Sequence, residues 1–180
     1  MSLSRNNIYK YFYLSGLFLL LIILSLILND NFNLGSFRIF PNMEVAGLVF
    51  ISAYLDIYAG WFIVYALFYI YGAMTPLNPA VFGLTGTVAY AASYVIWRRI
   101  PYDNAITEIL ITFIASLIYY CVLFFVVFYG FGIHFIYWNF LIYYAFPASV
   151  STSVISPAVF FLFKKAGYKN FLNKNKLIYL

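Results

Sequence analysis

LSGLFLLLIILSLIL, residues 14–28, decides what kind of protein this is. The run carries no charge, and its apolar side chains do not alternate with polar ones. Membrane barrels need that alternation over about ten positions, so the run reads as a helix in hydrocarbon, where about 20 apolar residues cross the bilayer. Working outward, Arg5 and Lys10 precede it and Asn29-Asp30-Asn31 closes it. The same order describes a secretory leader, but Leu28-Asn29-Asp30 offers no small-x-small cleavage site. The stretch is therefore an uncleaved first span.

The rest of the chain has the same character. Its 180 residues are 66% hydrophobic and 8% charged, where a soluble domain carries about 25% charged residues. That excludes a cytosolic enzyme, a nucleic-acid-binding module and a disordered tail. Ten basic residues face five acidic ones, for a net charge of +5, but the basic residues cluster beside hydrophobic runs. They read as topology signals, with no nucleic acid implied. Cys121 is the single cysteine, so there is no intrachain disulfide and no cysteine-based metal cluster.

The expected fold is all-α, a polytopic transmembrane helical bundle with spans at about 11–28, 43–59, 61–74, 80–97, 105–129 and 135–163, followed by a basic tail over 164–180. Turn residues separate the spans, among them Pro41-Asn42, Thr75-Pro76-Leu77-Asn78-Pro79, Arg98-Arg99-Ile100-Pro101 and Gly130-Phe131-Gly132. The joint near Ala59 and Gly60 is the ambiguous one. Without it residues 43–74 form one tilted helix and the bundle has five spans. Lys and Arg near span ends stay cytoplasmic. A six-span path with both termini cytoplasmic keeps nine of the ten basic residues inside and leaves only Arg38 outside. Its second and third helices are then short, about 26 Å and 21 Å at 1.5 Å per residue. Aromatic residues fall where interfacial belts belong, at Tyr9, Tyr11, Phe12 and Tyr13 and again at Phe135, Tyr137 and Trp138.

Chemistry inside a membrane needs ionisable groups at depth. Asp56 is the candidate polar site, either functional or part of a hairpin cap. Glu44, after Pro41-Asn42, reads as an acid at the positive end of a helix dipole. Asp103, Asn104 and Glu108 read as helix-start residues. His134 stands alone, where a metal needs three or four ligands. No Gly-x-Ser-x-Gly elbow and no phosphate-binding glycine loop occurs, so no cofactor and no catalytic set is expected.

Small residues recur at helical spacing on two spans. Gly83, Gly86, Ala89, Tyr90 and Ser93 share one face, and Ala145, Ser149, Ser153 and Ser156 share another, the latter between Pro147 and Pro157. Such faces let membrane helices approach closely, within the bundle or against a partner. Serine hydroxyls can satisfy carbonyls freed by the prolines. From Lys164 onward, five lysines interleave with aromatic and aliphatic residues, a pattern suited to anionic lipid at about 1 kcal/mol per lysine.

The order of features resembles the rod-shape-determining MreD family. The resemblance rests on the proline-glycine joint from Pro76 to Gly83, the span from Ala89 to the Arg98-Arg99 pair, and a closing Phe146-Pro147 with Ser156-Pro157-Ala158-Val159-Phe160 before Lys164-Lys165. It departs from that pattern at Gly72, which Ala73 follows where the family carries an aspartate. The resemblance implies a non-enzymatic scaffold of the cell-shape machinery that binds other integral membrane proteins, an MreC-type partner first. Pro79, Gly83, Arg98, Arg99 and Pro157 would serve as its scaffold positions.

The alternative is a small-solute transporter, or the substrate-binding subunit of an ECF-type vitamin uptake transporter. That reading requires convergent polar groups, for which Asp56, Asn78, Tyr119, Tyr120 and Ser149 are available. Small-residue stripes turned outward favour the scaffold; polar side chains gathered inside favour the transporter.

Overall fold

A computed structural model of the chain describes residues 5–31, 41–100, 104–131 and 141–165. Among these there are six α-helices and no strand: α1 (Arg5–Asn31), α2 (Met43–Tyr54), α3 (Ile57–Ala73), α4 (Pro79–Arg99), α5 (Ala105–Phe131) and α6 (Phe146–Phe163), the last entered through a π-helical turn, Leu141–Ala145. Three stretches, Pro79–Arg99, Ala105–Gly130 and Ile142–Phe163, are long and apolar enough to cross a membrane, while Tyr11–Ile23, α2 and α3 are apolar but shorter.

Asparagine and aspartate set most of the helix starts. Asn42 accepts the Val45 N–H at 3.2 Å, Asp56 the Ala59 N–H at 3.1 Å, Asn78 the Ala80 N–H at 3.0 Å and Asn104 the Thr107 N–H at 2.8 Å. Each satisfies an amide that the first helical turn leaves without a partner. In α4 the cap is followed at once by Pro79, whose missing N–H costs nothing there. The break between α2 and α3 falls at Leu55 and Asp56, at the near edge of the stretch from Asp56 to Gly60 where the sequence allows a fold-back and with Asp56 in the cap role open to it. An aspartate can cap and so end one helix and begin the next; Gly60 has a different task, described below.

α2 is the centre of the bundle. Residues 44–52 are all buried, and the helix packs against α1, α4, α5 and α6. A helix apolar on every side belongs in an interior. Around it the outer helices turn large apolar side chains away from the bundle: Phe12 on α1, Tyr58, Trp61 and Phe62 on α3, Phe125 and Tyr129 on α5, and Phe146, Val154 and Phe161 on α6 are all exposed. Such an apolar exterior is disfavoured in water and matches lipid.

Glycines on α3 and α4 admit rings from the facing helix. A Cβ on Gly86 would lie 2.6 Å from Phe68 Cγ, and one on Gly83 would lie 2.8 Å from Tyr65 Cε2. In the reverse direction Gly72 makes room for Phe82 and Gly60 for the Tyr90 phenol. Tyr90 then donates to the Asp56 carbonyl at 3.0 Å, and Tyr11 donates to Asp56 Oδ1 at 3.0 Å. One joint thus ties α1, α2, α3 and α4 together.

Pro157 sits inside α6. It has no N–H to offer the Ser153 carbonyl four residues back, and the Ser156 hydroxyl donates to that carbonyl at 2.7 Å instead. The π-turn carbonyl of Ala145 is met in the same way by Ser149, at 2.7 Å.

Candidate functional site

Most of the sequence candidates make local contacts within the bundle. Asp56 is exposed and spent on capping α3 and holding Tyr11. Asn78 is an exposed cap, and Pro79 follows it as the first residue of α4. Gly83 and Gly86 are notches for α3 rings, and Ser93 donates to the Ala89 carbonyl at 2.7 Å. Ser149, Ser153 and Ser156 lie buried, with the Ser149 proton on the Ala145 carbonyl of the π-turn and the other two on α6 carbonyls. Both small-residue stripes are therefore used within the bundle. Arg98 lies over the Tyr94 ring at 4.8 Å, and Arg99 is exposed. Asp103, His134 and residues 166–180 lie outside the described residues.

At the end of the bundle where α5 begins and α6 ends, Lys164 Nζ meets Glu108 Oε1 at 2.7 Å. Glu108 is nearly buried and Lys164 half-buried. This ion pair joins the first turn of α5 to the end of α6, so Glu108 does more than complement a helix dipole. Trp97, nearby through its ring contact with Phe160 at 6.3 Å, keeps a buried indole N–H without a partner.

The unusual group is Glu44. It is 1% exposed, and neither carboxyl oxygen has a hydrogen-bond partner. Position two of α2 looks like a place for a solvated acid. Because α2 is enclosed, however, its first turn faces other helices instead of water. Ser25 of α1 faces the carboxyl without closing a hydrogen bond. Tyr71 of α3 and Tyr119 and Tyr120 of α5 stand within electrostatic range of it.

Those phenols belong to an unbroken run of rings. Centroids are separated by 5.5 Å from Phe82 to Tyr71, 6.4 Å from Tyr71 to Phe68, 5.6 Å from Phe68 to Tyr119, 5.4 Å from Tyr119 to Tyr120 and 5.7 Å from Tyr120 to Tyr144. Asn42 fixes the start of α2 beside them. Its backbone N–H donates to Thr152 Oγ1 at 2.8 Å, and its side chain reaches Tyr120 as well as capping α2. The Tyr119 phenol reaches Thr85, whose own proton goes to the Val81 and Phe82 carbonyls, both at 2.9 Å.

The result is an interior polar centre built from α1, α2, α3, α5 and α6, with one carboxyl, several phenol oxygens and π faces. Among the described residues no three His, Cys, Asp or Glu side chains gather as a metal site would require. Burying an isolated carboxylate is expensive, so this centre holds either a neutral acid or an acid facing a bound cation. Comparison of the chain with protein-family models, with curated proteins and with solved structures finds no match.

Proposed function

We propose that the chain is a non-enzymatic, six-span cell-membrane protein with both termini in the cytoplasm, and that it binds a small solute at the Glu44 centre as a transporter or as the substrate-binding subunit of one. The observation that carries this reading is the fully buried, unpartnered Glu44 carboxyl among convergent phenols. Buried polar groups are as a rule satisfied, and an interior carboxyl held without partners in a helical bundle marks a binding or proton-handling position. The placement of the basic residues supports six spans. Arg98, Arg99, Lys164 and Lys165 all lie at the end of the bundle that also holds Asp56 and the start of α1, the cytoplasmic end by charge bias. Glu44 then lies toward the outer face.

The experiment is ligand-dependent stability of the purified chain in mild detergent, screened against small metabolites, with Glu44→Gln in parallel. A metabolite that raises the melting temperature of the wild type alone supports the reading. A chain that binds no metabolite and instead holds a stoichiometric membrane partner sinks it.

One observation favours a second reading, the partner-binding scaffold of MreD type. Tyr58, Trp61, Phe62, Tyr65 and Tyr69 lie exposed on one face of α3, and aromatic residues are enriched at protein interfaces. Co-purification of a partner that is lost on replacing Trp61 and Phe62 by leucine would favour it.

A further inference from the structure

From the Glu44 centre we infer the chemical class of solute: a small organic cation bearing an ammonium group, bound in exchange for the proton of Glu44. The inference rests on the solute-binding reading above and specifies it.

Three features of the centre select that class. Its one ionisable acid has no counter-charge among the described residues. Among residues whose side chains are described, the cations are Arg98, Arg99, Lys164 and Lys165, all at the opposite end of α2, and Lys164 is committed to Glu108. Among the described residues no positive charge stands at the Glu44 end of α2 to meet the carboxylate when it ionises. The walls are aromatic, with Tyr71, Phe68, Tyr119 and Tyr120 in ring-to-ring contact, and desolvated aromatic faces attract ammonium groups. Finally, the centre offers a single carboxylate, and among the described residues no three His, Cys, Asp or Glu side chains gather to hold a metal ion. A hard divalent cation takes about six oxygens or more; an ammonium is met by one carboxylate and π faces.

The balance is simple. The neutral Glu44 acid and a solute ammonium become an ion pair, and one proton leaves to water. The groups facing Glu44 from the packed elements are Ser25 on α1, Tyr71 on α3, and Tyr119 and Tyr120 on α5, with Tyr144 at the start of the last helical segment beside Tyr71 and Tyr120. α4 presents Thr85 next to Tyr119. The phenols stay protonated from pH 5 to 8, so one proton per solute comes from Glu44. Apparent affinity then rises about tenfold per pH unit wherever the free acid is protonated.

The test uses the full chain in detergent or nanodiscs with choline and methylammonium as probes, sodium as the inorganic cation, and 3,3-dimethylbutan-1-ol as the uncharged mimic of choline. Saturable, pH-dependent thermal stabilisation by an ammonium probe is the expected result, with release of one proton per probe measured by calorimetry in two buffers of different ionisation enthalpy. Glu44→Gln should abolish both effects while keeping the wild-type circular dichroism and elution volume. Because proton release is read on the wild type, the test survives a poorly folded variant. Equal stabilisation by the uncharged mimic, or by sodium, overturns the ammonium assignment, as does binding without proton release. If neutral or anionic metabolites bind at Glu44 instead, the inference fails and the solute-binding reading stands. If nothing in either screen binds, both fail.

Discussion

Gly86→Ala isolates what the α3–α4 contact requires. In an open helix interior, alanine is favoured over glycine by about 0.8–1.0 kcal/mol. At Gly86 the new methyl would stand 2.6, 2.8 and 3.0 Å from Phe68 Cγ, Cδ2 and Cδ1. Phe68 cannot retreat. It is fully buried, with Phe18 on one side at 5.8 Å and Tyr119 on another at 5.6 Å between centroids. Inserting a methyl into such a core costs about 1–3 kcal/mol, which offsets or exceeds the helix gain and leaves a net loss of up to about 2 kcal/mol. Gly16 is the control, because a Cβ there meets nothing within 4 Å, so Gly16→Ala should stabilise by up to about 1 kcal/mol. Reversible unfolding in mixed micelles titrated with sodium dodecyl sulfate measures both. Combining Gly86→Ala with Phe68→Leu should cost less than the sum of the two single changes. If Gly86→Ala proves as stabilising as Gly16→Ala, the ring-into-notch account of this interface is wrong.

Three further outcomes are expected. Glu44→Leu removes an unsatisfied buried acid and should raise unfolding stability by about 1–3 kcal/mol in the same assay while abolishing solute binding; a loss of stability would mean the carboxyl has a partner. Lys164→Met removes the ion pair from a nearly buried Glu108 and should cost about 1–3 kcal/mol, less than a fully buried pair because Lys164 is 30% exposed, and adding Glu108→Gln should restore part of the loss. With Cys121 replaced by serine, a cysteine at Asn78 should react with an impermeant maleimide on intact cells, and one at Asn104 only after permeabilisation; reaction at Asn104 on intact cells would rule out the six-span path.

The helical class and most helix starts were legible because they depend on local chemistry. Uninterrupted apolar runs exclude alternation, and Asn42, Asn78-Pro79 and Asn104 are helix-start residues in any context. The α2–α3 joint was half legible. Gly60 attracts attention as a breaker, but it is small to admit Tyr90, and Asp56 makes the joint. Glu44 is the first-turn acid that the sequence indicates, but its burial was not legible, because enclosure is a property of five helices together. One signal was present. Residues 45–51, Val-Ala-Gly-Leu-Val-Phe-Ile, are apolar all round the helix, and an acid heading such a segment goes inside with it. The stripes showed where close packing occurs but not its direction, since a small face alone does not say which helix it meets.

The enclosure of α2 also constrains how the protein is made. At 12 residues it is about 18 Å long, well short of the roughly 30 Å of hydrocarbon it would face alone, and most of its neighbours are translated after it. The α2–α3 hairpin must therefore wait, incompletely anchored, until the later helices emerge from the ribosome and close around it. Chains truncated before α6 would leave that hairpin as the segment recognised by membrane quality control.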